Sequence, residues 1–355
     1  MTVVHHPQDA RIYFRQIAAL LADGHQVSYA APFDSFPITQ VDSRIETITI
    51  PRATGKRRIS ALLAARKLLR TRSVDFDVVL IHDPELLLAA SCSKSPVVWD
   101  VHEDTAAAIS AKSWLPSIFR KPATKFVAKL ENKAEQRYHL LLAESEYQAR
   151  FTKSHPVIPN TTAVANYSET EPTNSVIYLG NITTLRGGET LLQVGKALKQ
   201  HGISLELIGS CPETELSKQL VAAQHAGELI WHGFLPNEKA KQLLPGKLAG
   251  LSLLQDHPNY RVSQPSKIYE YMAAAIPVIT TKLPHASQLI EVAAAGVVVE
   301  FDNPEQVVAE VLRIAGDSAR WKTFSKNGHS YVSQHHNWNV DQNKFINVLE
   351  GFAAK

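Results

Sequence analysis

The chain contains two successive series of short β-branched runs, each followed by a helical stretch, and this alternation constrains its fold most strongly. Alternating strands and helices predict parallel sheets covered by helices. In the first series we expect helices at 9–22, 59–69 and 116–138. Its strands are predicted at 3–4, 27–30, 45–50, 78–81, 97–101 and 140–143, in one doubly wound sheet.

The second series predicts a further sheet of the same kind. It follows the polar segment 168–174, which contains a proline and no periodic apolar residue and is therefore predicted as a linker. Strands are expected at 176–179, 205–208, 229–231, 250–254, 278–280 and 297–300. Helices are expected at 188–200, 213–225, 237–244, 267–275, 286–294 and 304–316.

Length also favours two domains, because 355 residues exceed the roughly 250 to 300 at which one core stops growing. We assign residues 1–167 to the first domain and 175–336 to the second. Ligands of doubly wound sheets bind at the carboxyl ends of the strands, so two facing sheets predict a central cleft.

Composition excludes several other classes of protein. Hydrophobic residues make up 45% of the chain and charged residues 20%, which is typical of folded globular proteins. No apolar run approaches the roughly 20 residues of a membrane span. Residues 1–7 lack the basic and apolar regions of a signal peptide, so we expect a cytoplasmic protein. Two cysteines cannot build a disulfide framework or a four-ligand zinc site.

The net charge of +3 is unevenly distributed. Residues 1–165 carry 21 Lys/Arg and 16 Asp/Glu, and the remainder carries 16 and 18. Eight Lys/Arg and no acidic residue lie between Glu46 and Asp75, in the segment from Arg52 to Arg72. Such a run is typical of a solvated helix face. It also suits attraction to an anionic membrane surface, a phosphorylated acceptor or nucleic acid.

The segment 264–279 is the most informative motif. Ser266 suits a helix N-cap, and the first-turn amides with Lys267 suit a phosphate. Glu270, one turn into the helix, suits a pair of ribose hydroxyls, since a carboxylate would repel phosphate. The alternative is a plain amphipathic helix with a solvated Glu270.

The segment 176–188 is a second candidate anion site. A strand ends at Gly180, and Arg186 follows beside two glycines just before a helix. An always-charged guanidinium at the carboxyl end of a strand suits a diphosphate leaving group. A helix-capping loop explains the same spacing equally well.

Together these motifs resemble the nucleotide-sugar domain of family 4 retaining glycosyltransferases (group 1 glycosyltransferases) of the GT-B fold. The succession is strand-Gly-loop-Arg-Gly, then Leu-Ile-Gly at 207–209, Trp-His-Gly-Phe-Leu at 231–235 and Pro-Ser-Lys-Ile-Tyr-Glu at 265–270. The first half is similar to a subgroup of the family at 6–12, at His-Asp-Pro-Glu-Leu 82–86, at Trp-Asp-Val-His-Glu-Asp 99–104 and at Asn-Tyr 166–167. The resemblance also implies that residues 337–355 form a helix that crosses back to the first domain.

The resemblance implies a role for individual residues of the donor site. Glu270 would bind the ribose, Ser266 and Lys267 the phosphates and sugar, and Arg186 the diphosphate. Phe234 and Leu235 would hold the base. The implied donor-binding set is Gly180, Asn181, Arg186, Gly209, Phe234, Leu235, Ser266, Lys267 and Glu270.

In the first domain the resemblance places His102 beside the transferred sugar, so the implied catalytic residues are His102, Arg186 and Glu270. The acceptor side would be formed by Asp9, Arg11, His82, Asp83 and Glu103. The family needs no bound metal, and we expect no metal and no cofactor beyond the donor substrate.

The chain departs from the family pattern at three places. Val262 replaces the first Glu of the E-x7-E motif, and Asn181 stands where an arginine is usual. Residues 5–9, His-His-Pro-Gln-Asp, replace the Gly-Gly loop near the N-terminus.

The function that the resemblance implies is retaining transfer of a hexose from a UDP- or GDP-linked sugar to a saccharide or lipid-linked acceptor in cell-surface polysaccharide synthesis. We expect no nucleic-acid partner, and a position at the inner face of the plasma membrane if the segment Arg52–Arg72 docks there. Two alternatives stay open. A GT-B nucleotide-sugar epimerase explains the Arg186 and 265–270 motifs less well, and a non-catalytic GT-B partner protein would accommodate Val262 and Asn181.

Overall fold

The computed structural model describes residues 1–38, 40–102, 117–261 and 266–354, without the side chains of 117–126, 238 and 259. It divides into two units, one formed by Met1–Thr161 with Trp338–Lys355 and the other by Thr162–Asn337. The segment 168–174, predicted as a linker, is counted with the second unit. Val262 and Glu103 lie outside the described residues.

The first unit contains two parallel sheets. One pairs β1 (Val27–Ala31) with β2 (Ile45–Thr49). The other has the order β3 (Val79–Ile81), β4 (Val97–Val101) and β5 (His139–Leu142). The prediction that one sheet accounts for this half of the chain is therefore wrong.

The two sheets are separate because the strand expected at 3–4 does not form. These residues are not assigned to a strand, although Thr2 donates to the carbonyl of Ala30 at 3.0 Å and His82 donates to that of Met1 at 3.2 Å. The amide of Val3 donates to the Asp83 carboxylate instead of to a backbone carbonyl. The first residues thus bond to both sheets, since the amino group of Met1 also donates to the carbonyl of Leu80 at 2.7 Å, but a side chain replaces part of the ladder that would have joined the sheets.

Helices cover the sheets of the first unit. A π-helical segment (Ile12–Ile17) continues into α1 (Ala18–Ala22). The helix α13 (Trp338–Ala353) shares a core with α1, β4 and β5 through Trp338, Phe345 and Leu349. The helices are α1 (Ala18–Ala22), α2 (Arg58–Arg72), α3 (Leu87–Ala90), α4 (Ser117–Arg137) and α13 (Trp338–Ala353).

The second unit is one six-stranded parallel sheet, and all six predicted strands are confirmed. The sheet order is β11-β10-β9-β6-β7-β8. The chain runs outward from β6 to β8 and then returns to the other side of β6, so the order reverses between β6 and β9. The strands are β6 (Ser175–Leu179), β7 (Ser204–Ile208), β8 (Ile230–Trp231), β9 (Ala249–Ser252), β10 (Val278–Thr281) and β11 (Gly296–Val299).

Both faces of this sheet are buried, as expected for a parallel sheet. Tyr178 packs in one hydrophobic core and its neighbour Ile177 in the other, because successive side chains of a strand point to opposite faces. The flanking helices are α5 (Gly188–Lys199), α6 (Thr214–His225), α7 (Asn237–Gln242), α8 (Pro258–Arg261), α9 (Ser266–Ala273), α10 (Pro284–Ala293), α11 (Pro304–Ala315) and α12 (Ser318–His335). No helix built from the described residues has the length and apolarity to span a bilayer.

Candidate active site

The strand-order reversal between β6 and β9 is where an open α/β sheet ordinarily binds a ligand. Tyr271 of α9 contacts both strands at this point. Its hydroxyl accepts from the amide of Leu179 at 2.8 Å and donates to the carbonyl of Leu251 at 3.1 Å. One side chain thus bonds to the ends of both strands. It holds the start of α9, and with it Lys267 and Glu270, above the carboxyl ends of β6 and β9.

Lys267 is buried here, with 8% of its surface exposed. Its ammonium lies 3.8 Å from the centre of the Tyr178 ring, a cation–π contact. The Nζ atom has no hydrogen-bond partner among the described residues. Burial, reinforced by the charge of Arg186, lowers the pKa of Lys267 to about 7, while Glu270 opposes the shift.

Arg186 approaches the same place. A Cβ placed on Gly180 would lie 3.5 Å from Nζ of Lys267 and 3.7 Å from Nη1 of Arg186. Gly180 also has a φ of +122°, which favours glycine. The structure therefore brings the two predicted cations together around one backbone position at the end of β6.

The loop that carries Arg186 is held from both sides. Gly187 precedes α5 with a φ of +83°, and a Cβ there would lie 2.3 Å from the carbonyl oxygen of Leu253. The amide and hydroxyl of Thr184 donate to the Glu213 carboxylate at 3.0 and 2.7 Å. Arg186 is thus presented by a loop with a defined conformation.

The other predicted donor-binding residues surround the ends of β6 to β8. The amide of Gly209 donates to the carbonyl of Gly233 at 2.7 Å, and a Cβ on Gly209 would lie 2.0 Å from the carbonyl oxygen of Gly180. Asn181 is exposed, and its carbonyl accepts from the hydroxyl of Tyr178 at 2.8 Å. The remaining positions are exposed at Ser266 and at Phe234, with 74% of Phe234 accessible, and partly buried at Leu235 and Glu270.

In the first unit two of the predicted acceptor-side residues, Arg11 and His82, lie beside a fully buried carboxylate, Asp100 of β4. Arg11 forms two hydrogen bonds to Asp100, each of 2.7 Å, and Gln16 donates to it at 2.9 Å. His82 contacts the side-chain oxygen of Gln16 at 2.7 Å. Burial by itself opposes ionisation of Asp100, but Arg11 outweighs it and the pKa of Asp100 is lowered.

These contacts place Arg11, His82 and Asp83 in the interior of the first unit, with at most 4% of each exposed. Burial lowers the pKa of His82 to about 3, so its imidazole is neutral at physiological pH. Asp9 caps the first helical segment through its bonds from the amides of Arg11 and Ile12 at 2.8 and 3.0 Å. Asp9, Arg11, His82 and Asp83 therefore all form hydrogen bonds within the first unit.

His102 lies at the edge of this network, 12% exposed. Its Nδ1 is 3.1 Å from the backbone carbonyl of Asp100, and its Nε2 is 3.1 Å from Nε2 of His5. The same nitrogen of His5 is 3.2 Å from the Asp83 carboxylate. His102 and Asp83, which the sequence motifs single out separately, are thus connected through His5.

Sequence reasoning missed Asp100, Gln16, Tyr178 and Tyr271. A charged residue inside the otherwise apolar strand Val97–Val101 was the available signal for Asp100, because a buried charge needs a partner. An aromatic residue in a core strand or helix carries no such signal, and the hydroxyl contacts of Tyr178 and Tyr271 become evident only in the fold.

Family models match both halves of the chain. Residues 10–166 match the model described as Glycosyltransferase Family 4, and residues 173–317 match Glycosyl transferases group 1. Together the two matches cover most of the sequence. No curated protein matches the chain at a significant level.

Solved structures with the same architecture include sucrose-phosphate synthase (tll1590) from Thermosynechococcus elongatus, at 17% identity and a TM-score of 0.68 over 98% of this chain and 94% of that one. Anabaena HepE in complex with UDP is 13% identical, with a TM-score of 0.67 over 99% and 98% of the two chains. WaaG, a glycosyltransferase involved in lipopolysaccharide biosynthesis, is 14% identical with the same TM-score and coverage. The chain therefore belongs to the group 1, family 4 glycosyltransferases, and its two parallel α/β units have the GT-B fold.

Proposed function

We propose that this glycosyltransferase moves a hexosyl group from a UDP- or GDP-linked sugar to a saccharide or lipid-linked acceptor in cell-surface polysaccharide synthesis, with retention at the anomeric carbon. The main support for binding of a nucleotide-sugar donor is the buried ammonium of Lys267 beside Arg186. A buried charge is costly unless it is paired, and a diphosphate would supply the missing negative charge. Anabaena HepE, which shares the fold, binds UDP and UDP-glucose.

Charge on the leaving diphosphate grows as its bond to the anomeric carbon breaks. Two cations held in place before the reaction stabilise that charge without reorganising. Arg186 and Lys267 have this role in the proposal, and Glu270 accepts hydrogen bonds from the ribose hydroxyls. His102 orients the transferred sugar, and the acceptor attacks from the face that the leaving group quits, so no carboxylate nucleophile or metal ion is required.

The site assignment predicts a defect in donor binding. Arg186→Ala should weaken binding of UDP or GDP by roughly 10- to 100-fold, since a hydrogen bond to a charged group contributes about 1.5–3 kcal/mol. Glu270→Ala should weaken nucleotide binding without affecting binding of inorganic pyrophosphate. Isothermal titration measures both effects, and Lys218→Ala, which removes an exposed cation of the same unit, is the matched control. Full transfer activity in either site variant would contradict the assignment.

Product analysis tests the reaction itself. Incubation with UDP-glucose or GDP-mannose and saccharide acceptors should give a glycoside whose anomeric configuration, read by proton NMR, equals that of the donor. Inversion would contradict retention. A free epimerised sugar would identify the epimerase alternative, and donor binding without turnover on any acceptor would identify a non-catalytic protein.

We also propose that the basic segment Arg52–Arg72 contacts an anionic membrane. Three of its cations have partners within the unit, because Arg52 stacks on Phe36 and Arg58 and Arg72 pair with acidic residues. The other five are exposed and have no acidic partner among the described residues: Lys56, Arg57, Arg66, Lys67 and Arg70. Ile59 and Leu63, one turn apart on α2, are 70% and 61% exposed beside them. Basic and apolar side chains on one exposed helix face are typical of contact with a lipid surface.

Vesicle sedimentation tests this contact. The protein should bind vesicles of phosphatidylcholine with phosphatidylglycerol, bind phosphatidylcholine alone much less, and dissociate as salt rises. Neutralising Arg66, Lys67 and Arg70 to Gln should reduce binding by at least tenfold, because each cation contributes about 1 kcal/mol at such a surface. The triple variant of Lys196, Lys218 and Lys326, exposed lysines of the second unit, is the control. Equal binding to both vesicle types would contradict the electrostatic contact.

A further inference from the structure

His5 and His102 are joined by a direct contact between imidazoles. Their Nε2 atoms are 3.1 Å apart, and the ring centres are separated by 4.8 Å. His5 is 18% exposed and His102 is 12% exposed, so both rings are largely excluded from water. A hydrogen bond between two imidazole nitrogens needs one donor and one acceptor, so the proton positions of the two rings depend on each other.

The surroundings of His102 determine which nitrogen carries its proton. Nδ1 faces the backbone carbonyl of Asp100 at 3.1 Å and the Asp100 carboxylate at 3.7 Å. Both groups can only accept a hydrogen bond while the carboxylate is ionised, so Nδ1 carries the proton. In a neutral ring Nε2 then has a lone pair, which faces His5.

The surroundings of His5 independently indicate that its Nε2 carries a proton. Its Nε2 lies 3.2 Å from Oδ1 of the Asp83 carboxylate, whose Oδ2 accepts from the hydroxyl of Thr2 at 2.9 Å and from the amide of Val3. Burial by itself opposes ionisation, but His5 and these donors outweigh it and lower the pKa of Asp83. An ionised carboxylate favours a proton on the facing nitrogen. Because Oδ1 of Asp83 has no hydrogen-bond partner among the described residues, this N–H is directed at His102, and Nε2 of His5 is the donor.

We propose that His5 is a positioning residue for His102: its Nε2–H, favoured by the nearby Asp83 carboxylate, donates to Nε2 of His102 and fixes the proton of that imidazole on Nδ1. A hydrogen bond to the neutral form of a group disfavours its charged form. Protonating His102 at Nε2 would bring two N–H groups together and break the contact. The role in transfer rests on the proposed function, whereas the proton positions do not.

Opposing charges surround the pair. Among the described residues, the titratable groups that face His102 are Asp100, His5 and His82, whose ring centre is 6.0 Å away. Asp83 and His102 both face His5. Asp100 favours a charged His102, although Arg11 compensates much of its charge, and His5 opposes that charging. Removal of His5 should therefore make His102 more basic.

Nitrogen-15 NMR of histidine-labelled protein, without any substrate, tests the proposal, with the rings assigned from single His→Gln variants. In the wild type His102 should show a protonated Nδ1 and an unprotonated Nε2. In His5→Leu its titration midpoint should rise by roughly one pH unit. His5→Gln, whose amide N–H replaces the lost donor and does not titrate, should restore the wild-type midpoint. A merely structural role for His5 would move none of these signals.

Two results would overturn the proposal: a proton on Nε2 of His102 in the wild type, or the same His102 midpoint in wild type and His5→Leu. The first is read from the wild-type protein, so it decides the question even if His5→Leu does not fold. The acid limb of the pH profile of kcat/KM should follow the NMR midpoint in His5→Leu, while UDP binding stays unchanged. If UDP does not bind to the wild type at all, the proposed function fails and the NMR result still stands by itself.

Discussion

Replacing Lys267 by methionine should abolish measurable binding of UDP and GDP and at the same time raise the melting temperature of the unliganded protein. The ammonium is buried over Tyr178 without a hydrogen-bond partner among the described residues, so it is costly to the fold. Each unit of pKa depression corresponds to about 1.4 kcal/mol, and a fall from 10.5 to about 7 marks a cost of a few kcal/mol. Methionine has nearly the same length and removes that cost.

Thermal shift with and without nucleotide measures both effects. Lys218→Met, which removes an exposed cation of the second unit, should change neither the melting temperature nor the shift caused by nucleotide. A lower melting temperature in Lys267→Met would show that the ammonium stabilises the fold. A retained shift with nucleotide would show that Lys267 does not bind the diphosphate.

The same group predicts a pH dependence of donor affinity in the wild type. A diphosphate raises the pKa of Lys267 from its value of about 7 in the free protein, so binding favours the protonated form. Affinity for UDP-glucose, whose diphosphate does not titrate in this range, should be constant well below pH 7. Above pH 7 it should fall by up to about tenfold per pH unit, with proton uptake detected as a buffer-dependent binding enthalpy. A flat profile up to pH 9 would contradict the assignment.

The second large effect is expected at Asp100. Asp100→Ala should destabilise the protein by about 3–5 kcal/mol, because it leaves the guanidinium of Arg11 buried without its carboxylate. Urea unfolding measures this loss. Nucleotide binding under folding conditions should stay unchanged, since the donor-binding residues belong to the other unit.

A double-mutant cycle separates the ion pair from general packing. Arg11→Met should be nearly as damaging as Asp100→Ala, and the variant carrying Arg11→Met with Asp100→Leu should lose much less than the sum of the two single losses. Additive losses would show that the pair contributes no coupling. The control is Arg44→Met, which removes an exposed arginine that pairs with Asp42 and should leave the free energy of unfolding nearly unchanged, because solvent screens an exposed ion pair.

The second unit was predictable from sequence to within a few residues. Its central strands β6, β9 and β10 are buried on both faces, as their continuous apolar runs predict, so local pattern and tertiary position agree. The close approach of Lys267 to Arg186 could not be predicted from sequence in the same way. Motif order places both near strand ends, but the hydrogen bonds of the Tyr271 hydroxyl to β6 and β9, which position the start of α9, become evident only in the fold.

The first unit was less predictable, for a physical reason. The pattern at 3–4 suggested a strand, yet the Val3 amide bonds to Asp83, which lies 80 residues away. Arg11 and Asp100 are 89 residues apart. No local period carries information about such side-chain pairs. The three residues His5, Asp83 and His102 likewise appear in the sequence as separate motifs, and their contacts exist only in the fold.

The placement of α13 has a consequence for how the chain is made. The first unit contains Met1–Thr161 and Trp338–Lys355, whereas the second is continuous from Thr162 to Asn337. During synthesis from the N-terminus, the first unit cannot complete one of its cores until Trp338, Phe345 and Leu349 have been synthesised. The later-encoded unit can therefore finish folding first, and the earlier half emerges with an apolar surface that stays uncovered until the helix from Trp338 has been synthesised.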